Sequence, residues 1–283
     1  FMDTLVICAG IEHSASASLW YTLYENNIVH TGHFKQSKYL KALEKSDNSI
    51  RSIFNKKAKM PFQPNRMNRE VGNWSQEEWN DFFYEDFHID RYIEYYKRVK
   101  EKTGFPIVGD FCQLNADLSE DFIIDIAPKL NSAFDVKIIL LLRDPIRRWW
   151  HHSHCQGRGN EESHFKGELS DNCFYAEVYR KWRGSFPNIH AVIMEDFFSG
   201  HSDELSDFLG YPIKNIHRNA FMDPKIPHYP ELRCQWRSNA RPIIFKDLTP
   251  ELLEYGKEAF EWIYQDCQEE GIYPKYSLKS WYN

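Results

Sequence analysis

Apolar residues fall along this chain in two rhythms. Residues 138–142, Ile-Ile-Leu-Leu-Leu, form a continuous apolar run too short for a core helix and without a polar face; such a run reads as a parallel strand buried on both sides. Residues 5–8, 28–34, 105–110 and 191–194 read as further strands. Between them the period changes. Residues 19–23 turn helical, and 88–102 set Ile89, Tyr92, Ile93, Tyr96 and Val99 on one face. Helices follow at 121–130 and 173–186, then at 205–212, where Gly210 suits a left-handed C-cap. Leu248-Thr249-Pro250-Glu251 opens a last amphipathic helix to about residue 270, and Ser75 to Glu78 forms a capping box ahead of Trp79, Phe82 and Phe83. Strands separated by helices predict an α/β fold of three layers with a mainly parallel central sheet. No linker, low-complexity run or repeat divides the chain, so residues 1–283 are expected to form a single domain.

The central run leads straight into chemistry. Arg143 follows it at once, and Pro145 suits the first turn of a helix because its missing N–H would have no intrahelical partner there, which makes Asp144 the N-cap. A guanidinium fixed at the carboxyl end of a buried strand, beside a helix N-terminus, is prepared for an anion such as phosphate; the alternative is a structural pair with a carboxylate. After the first strand, residues 9–18 are dominated by small side chains: Gly10, Ser14, Ala15, Ser16, Ala17 and Ser18. Strand, small-residue loop and helix is the arrangement of a phosphate-binding loop, whose backbone N–H groups must come close to the anion. The stretch lacks the G-x-x-x-x-G-K-S/T of nucleotide triphosphatases, and an ordinary βα turn is the competing reading.

Charge narrows the partners. Lys and Arg number 35 against 41 Asp and Glu, a net charge of -6, so nothing global attracts nucleic acid and any anion site must be local. The six cysteines (Cys8, Cys112, Cys155, Cys173, Cys234 and Cys267) form no C-x-x-C pair, which disfavours zinc; they read as packed thiols of a reducing compartment. No apolar run approaches the ~20 residues of a membrane span, and the first strand begins too early to leave room for a signal peptide. The expectation is a soluble, cytoplasmic protein, with Phe1 standing ahead of a native start at Met2.

The two anion-site stretches together resemble the cofactor-binding pair of the sulfotransferases that use 3′-phosphoadenosine 5′-phosphosulfate (PAPS). In that family a loop of the form P-K-S-G-T-T-x-L holds the 5′-phosphosulfate, and a strand-Arg-helix segment holds the 3′-phosphate. Glu12-His13-Ser14-Ala15-Ser16-Ala17-Ser18-Leu19 lies where the first is expected, and Arg143-Asp144-Pro145-Ile146-Arg147-Arg148 has the second's R-D/N-P-x-x-R form. Two substitutions stand out: His13 replaces the family's lysine and Ala15 its glycine. The family's serine, eight residues past the arginine, falls on His151, with Ser153 two further on. Tyr175-Ala176 to Trp182 is similar to the Y-x-x-x-L-x-x-W helix whose tyrosine approaches the adenosine and the 3′-phosphate. Glu195-Asp196-Phe197 and Phe208-Leu209-Gly210 resemble later family segments.

The resemblance implies a P-loop-like fold and transfer of a sulfuryl group to a hydroxyl or amine, with PAP as product and no metal. It implies a cofactor site of His13, Ser14, Ala15, Ser16, Ala17, Ser18, Arg143, His151, Ser153 and Tyr175. Lys35, at the end of the second strand, takes the place of the family's active-site lysine, and His13 shares its task. Gln36 occupies the position of the usual glutamate base but cannot take a proton. His33 becomes the first candidate base, with His13 and Asp110 behind it. Arg158 faces either cofactor or acceptor. Arg233, Arg237 and Arg241 are alternatives for closing over the 3′-phosphate, and the basic stretch 41–70 reads either as a lid over the acceptor or as solvated surface. The acceptor stays open: saccharide, lipid or small alcohol. The rival readings are a P-loop small-molecule kinase, which needs Mg²⁺ and a loop lysine absent here, and a catalytically impaired relative that binds a nucleotide or a glycan.

Overall fold

The computed structural model describes residues 2–32, 37–45, 88–155, 174–214 and 249–276, with 151–155 as backbone only. Five strands form one sheet: β1 (Thr4–Cys8), β2 (Val29–His30), β3 (Ile107–Asp110), β4 (Asp135–Leu142) and β5 (Ile189–Ile193), in the order β2-β3-β1-β4-β5. Every neighbouring pair is parallel. The α/β class with its parallel sheet is therefore as the sequence leads one to expect.

Nine α-helices are described: α1 (Ser16–Glu25), α2 (Tyr39–Glu44), α3 (Ile89–Thr103), α4 (Glu120–Ala133), α5 (Pro145–Cys155), α6 (Tyr175–Ser185), α7 (Met194–Phe198), α8 (Asp203–Leu209) and α9 (Pro250–Glu269). They cover the sheet on two faces because strand side chains alternate. Leu5 and Ile7 of β1, with Ile138, Leu140 and Leu142 of β4, pack with α3, α4, α6 and α9. Val6, Cys8, Ile139 and Leu141 point the other way, to α1, α7 and α8.

Several elements differ from the sequence reading. The second strand, expected over 28–34, is Val29–His30 and ends before Thr31, with 33–34 outside the described residues. The helix expected at 205–212 runs Asp203–Leu209. Met194 opens α7 instead of closing a strand, because Glu195 and Asp196 stand in the first turn, where acidic side chains favour the helix dipole. On α3 the buried face contains Tyr95, while Ile93 is only half-buried, so the stripe is rotated towards its aromatic residues. The capping box at 75–78 lies outside the described residues.

Gly256 of α9 lets two helices approach closely. A Cβ there would stand 2.9 Å from Cγ2 of Ile146 on α5, the helix that carries the Arg143 segment away from the sheet. Gly256→Val is expected to cost about 1–3 kcal/mol of overpacking, outweighing the gain of at most about 1 kcal/mol from replacing a helical glycine. The urea midpoint reads this, and an unchanged midpoint would mean that α5 yields.

Candidate anion-binding site

β1 is flanked by β3 on one side and β4 on the other, so the chain departs in opposite directions from the carboxyl ends of these strands. Open α/β sheets leave a ligand crevice at such a point. The loop after β1 first continues along β4, Ala9 N donating to Ile139 O at 2.9 Å and Ile11 N to Leu141 O at 3.4 Å. It then bends sharply: His13 has φ 65° and Ala15 φ 61°, values in which non-glycine residues are uncommon. Ala15 is the N-cap of α1 and, having no polar side chain, supplies no cap. Ser18 N turns back to the Ala15 carbonyl at 2.9 Å, and the positive end of the helix dipole at this start attracts an anion. A second observation points the same way. The Ser14 hydroxyl is buried and has no hydrogen-bond partner among the described residues.

Two guanidinium groups from the next strand-helix junction hold this loop. Arg143, at the end of β4, donates from Nη1 to the His13 carbonyl at 3.3 Å. Arg148, on α5, donates from Nη1 to the Glu12 carbonyl at 3.2 Å. Arg148 is almost completely buried, and its guanidinium lies 6.0 Å from the Tyr175 ring centroid. Arg143 is partly open, and its buried Nε–H has no acceptor among the described residues. Burial lowers the Arg143 pKa, while Glu195, Tyr175 and Asp144 work against that shift.

Tyr175 stands behind Arg143. It is wholly buried, and its hydroxyl donates to the Arg143 carbonyl at 2.9 Å. Asp144 is the N-cap that Pro145 calls for: its Oδ1 accepts from Arg147 N at 2.9 Å, and its own N–H donates to Glu195 Oε1 at 3.1 Å. Burial pushes the Asp144 carboxyl up to about 7, with Glu195 adding to the rise and the Arg147 N–H opposing it. Asp144→Asn and Asp144→Ala both remove this charge, but only asparagine keeps the cap. The asparagine variant is expected to be more stable by about 1 kcal/mol in urea unfolding; equal midpoints would mean that the cap contributes nothing.

The structure thus brings His13, Ser14, Ala15, Ser16, Ala17, Ser18, Arg143 and Tyr175 to one crevice or directly behind it. His151 and Ser153 lie on α5, described as backbone. His33, Lys35, Gln36, Arg158, Arg233, Arg237 and Arg241 fall outside the described residues. Asp110 is corrected. It ends β3 fully buried, accepting at Oδ2 from the Ser37 hydroxyl at 3.0 Å and from the Tyr92 hydroxyl at 3.1 Å. A carboxylate without access to the crevice is an anchor, not an acceptor's base. Lys41 is corrected too, from lid or solvated surface to a buried residue whose Nζ pairs with Glu44 and donates to the Asp117 carbonyl at 2.6 Å.

The side chains to which sequence reasoning gave no site role are Glu12, Arg148 and Glu195. Arg148 had a signal: it lies four residues past the N-cap, and i,i+4 spacing stacks it over Asp144 on the side facing the loop. Among the described residues no three His, Cys, Asp or Glu side chains group as a metal site, and no helix is long and apolar enough to cross a membrane.

Comparison with solved structures returns the same architecture. A sulfotransferase from Alicyclobacillus acidocaldarius aligns over 100% of this chain and 99% of its own, with a TM-score of 0.53 and 13% identity. The chain has the sulfotransferase fold. The sulfotransferase domain from the curacin biosynthetic pathway aligns over 91% of this chain and 97% of its own at TM-score 0.49 and 12% identity. No family model matches the sequence, and no curated protein matches it. On this fold the crevice at β1 and β4 is formed by the loop at 9–15, the α1 N-terminus and the Arg143 segment.

Proposed function

We propose that this protein transfers a sulfuryl group from PAPS to a hydroxyl or amine of a small-molecule acceptor, a saccharide among the possibilities. The observation that supports this most strongly is the meeting of Arg143, the buried Ser14 hydroxyl and the uncapped α1 N-terminus at one crevice. The Ser14 hydroxyl and the Arg143 Nε–H lack partners among the described residues, and they offer donors to two separate anionic groups, as a nucleotide with phosphates on both sides of its ribose presents.

In this reading residues 13–18 receive the 5′ end, and Arg143 receives the 3′-phosphate with His151 or Ser153 further along α5. Tyr175, expected from the resemblance to approach the cofactor, is wholly buried with its hydroxyl on the Arg143 carbonyl, so it acts on the ligand through Arg143, and Glu195 through the same helix, by holding the main chain at 143 and 144. PAPS supplies the activated sulfuryl group. The protein's tasks are to align the acceptor, to offset charge on the sulfuryl oxygens and to support the departing 5′-phosphate. Fixed N–H donors at a helix start do the last without reorganising. Lys35 and His13 are assigned to the sulfuryl oxygens, and His33 stays a candidate for proton removal.

The test is calorimetric titration with 3′-phosphoadenosine 5′-phosphate (PAP), run beside ATP with Mg²⁺. Micromolar PAP affinity with far weaker ATP binding is the expected result. Absence of PAP binding would remove the reading and leave the fold.

A further inference from the structure

Transfer to a hydroxyl requires a proton acceptor, and the carboxamide at Gln36 cannot be one. Beside the loop the structure holds a carboxylate that can. Glu12 directly precedes His13, and its carbonyl is held by Arg148 at 3.2 Å. Its side chain is 35% exposed and stands in a cavity of about 160 Å³ at the carboxyl edge of the sheet. The far wall is the 3₁₀ turn Gln113–Asp117 and the start of α6, with Phe174, Glu177 and Lys181. Oε1 of Glu12 accepts from Gln113 Nε2 at 3.3 Å and lies 3.7 Å from His13 Nε2. A carboxylate and an imidazole thus stand together at the mouth of the anion loop.

We propose that Glu12 is the general base of this site, and that the cavity it faces receives the reacting end of the acceptor. The proposal rests on the sulfotransferase reading. As the acceptor oxygen bonds to sulfur, its proton passes to the Glu12 carboxylate. The bond from sulfur to the 5′-phosphate oxygen breaks, its electron pair staying on that oxygen, and Glu12 later releases the proton to solvent.

The walls also select the acceptor. Glu12, Asp117 and Glu177 outnumber Lys181, whose Nζ is already donating to the Ala116 carbonyl at 2.6 Å. A neutral polyol or an amine fits such a lining, and an already anionic acceptor is repelled. The volume is below the roughly 300–1,000 Å³ of pockets that enclose a whole ligand, so only the acceptor's end enters.

The groups facing Glu12 set its titration. Burial raises its pKa above the ordinary glutamate value, Arg148 and Lys38 draw it down, and Asp117 pushes it up. His13 adjoins it, while Glu177 and Lys181 lie across the cavity. A raised carboxyl pKa makes a stronger base.

The experiment uses the full chain with Glu12→Gln and Glu12→Asp, and water as the acceptor, following release of sulfate from PAPS against pH. Wild-type release should rise through the Glu12 titration and level off. Glu12→Gln should lower it by about 100-fold or more and abolish the rising limb, Glu12→Asp should keep the limb at a reduced rate, and PAP affinity should hold within about threefold, well under the tenfold that 1.4 kcal/mol represents. A carbon-detected titration of the ligand-free protein should give the Glu12 carboxyl a midpoint above 4.5. The proposal is overturned by wild-type release or an unchanged pH profile in Glu12→Gln, by loss of PAP affinity in that variant, by a midpoint at or below 4.5, or by a wild type that binds PAP but releases no sulfate. A wild type that fails to bind PAP strikes the sulfotransferase reading itself.

Discussion

Arg143→Ala is expected to weaken PAP binding by about 100-fold or more, since removing one partner of a desolvated charge pair costs about 2–5 kcal/mol and each 1.4 kcal/mol is tenfold. The guanidinium is partly buried, faces Glu195 and Asp144, and keeps an Nε–H without an acceptor among the described residues. An incoming phosphate would take that donor in a setting where water competes poorly. Arg143→Lys should recover little of the loss, because a point charge cannot hold the His13 carbonyl and a phosphate at once as a planar fork can. Since the His13 carbonyl also loses its donor, the alanine variant's melting curve must accompany the titration. A folded Arg143→Ala protein that binds PAP within threefold of wild type would take Arg143 out of the site.

What the sequence made legible was local. The run at 138–142, the arginine after it, the Asp144 cap and Pro145 are set within ten residues by burial pattern and helix-start chemistry, and each is present in the fold. Gly210 is likewise a local signal, with φ 81° at the end of α8. What stayed hidden depends on distant contacts. Arg148 reaches a carbonyl 136 positions earlier, and the Tyr175 hydroxyl reaches back 32. No periodicity encodes how far α5 swings over the loop after β1. Lys41 misled for a related reason: in a basic stretch its charge suggests solvent, whereas its stem packs inside and its ammonium meets Glu44 and the Asp117 carbonyl. Glu12 enters the sequence reading only as the first residue of the loop segment 12–19, and its place in a cavity depends on the distant 3₁₀ turn and α6.

The stability of this protein should fall as pH rises from 4 towards 7, and Asp110 should be a large part of the cause. Burial pushes its carboxyl up from 3.8 to about 6, against the opposing hydrogen bonds of Ser37, Tyr92 and Asn115. Because the folded value lies above the unfolded one, the neutral acid is the form the fold prefers. Its contribution is complete below the unfolded value and is lost as pH passes through about 6. The shift corresponds to roughly 3 kcal/mol. Asp110→Asn keeps an acceptor oxygen for the Ser37 and Tyr92 hydroxyls and never ionises, so at pH 8 it should exceed wild type in urea unfolding by an amount approaching that figure. At pH 4 the advantage should be nearly gone. An advantage that is equal at both pH values would show that Asp110 does not titrate in the fold.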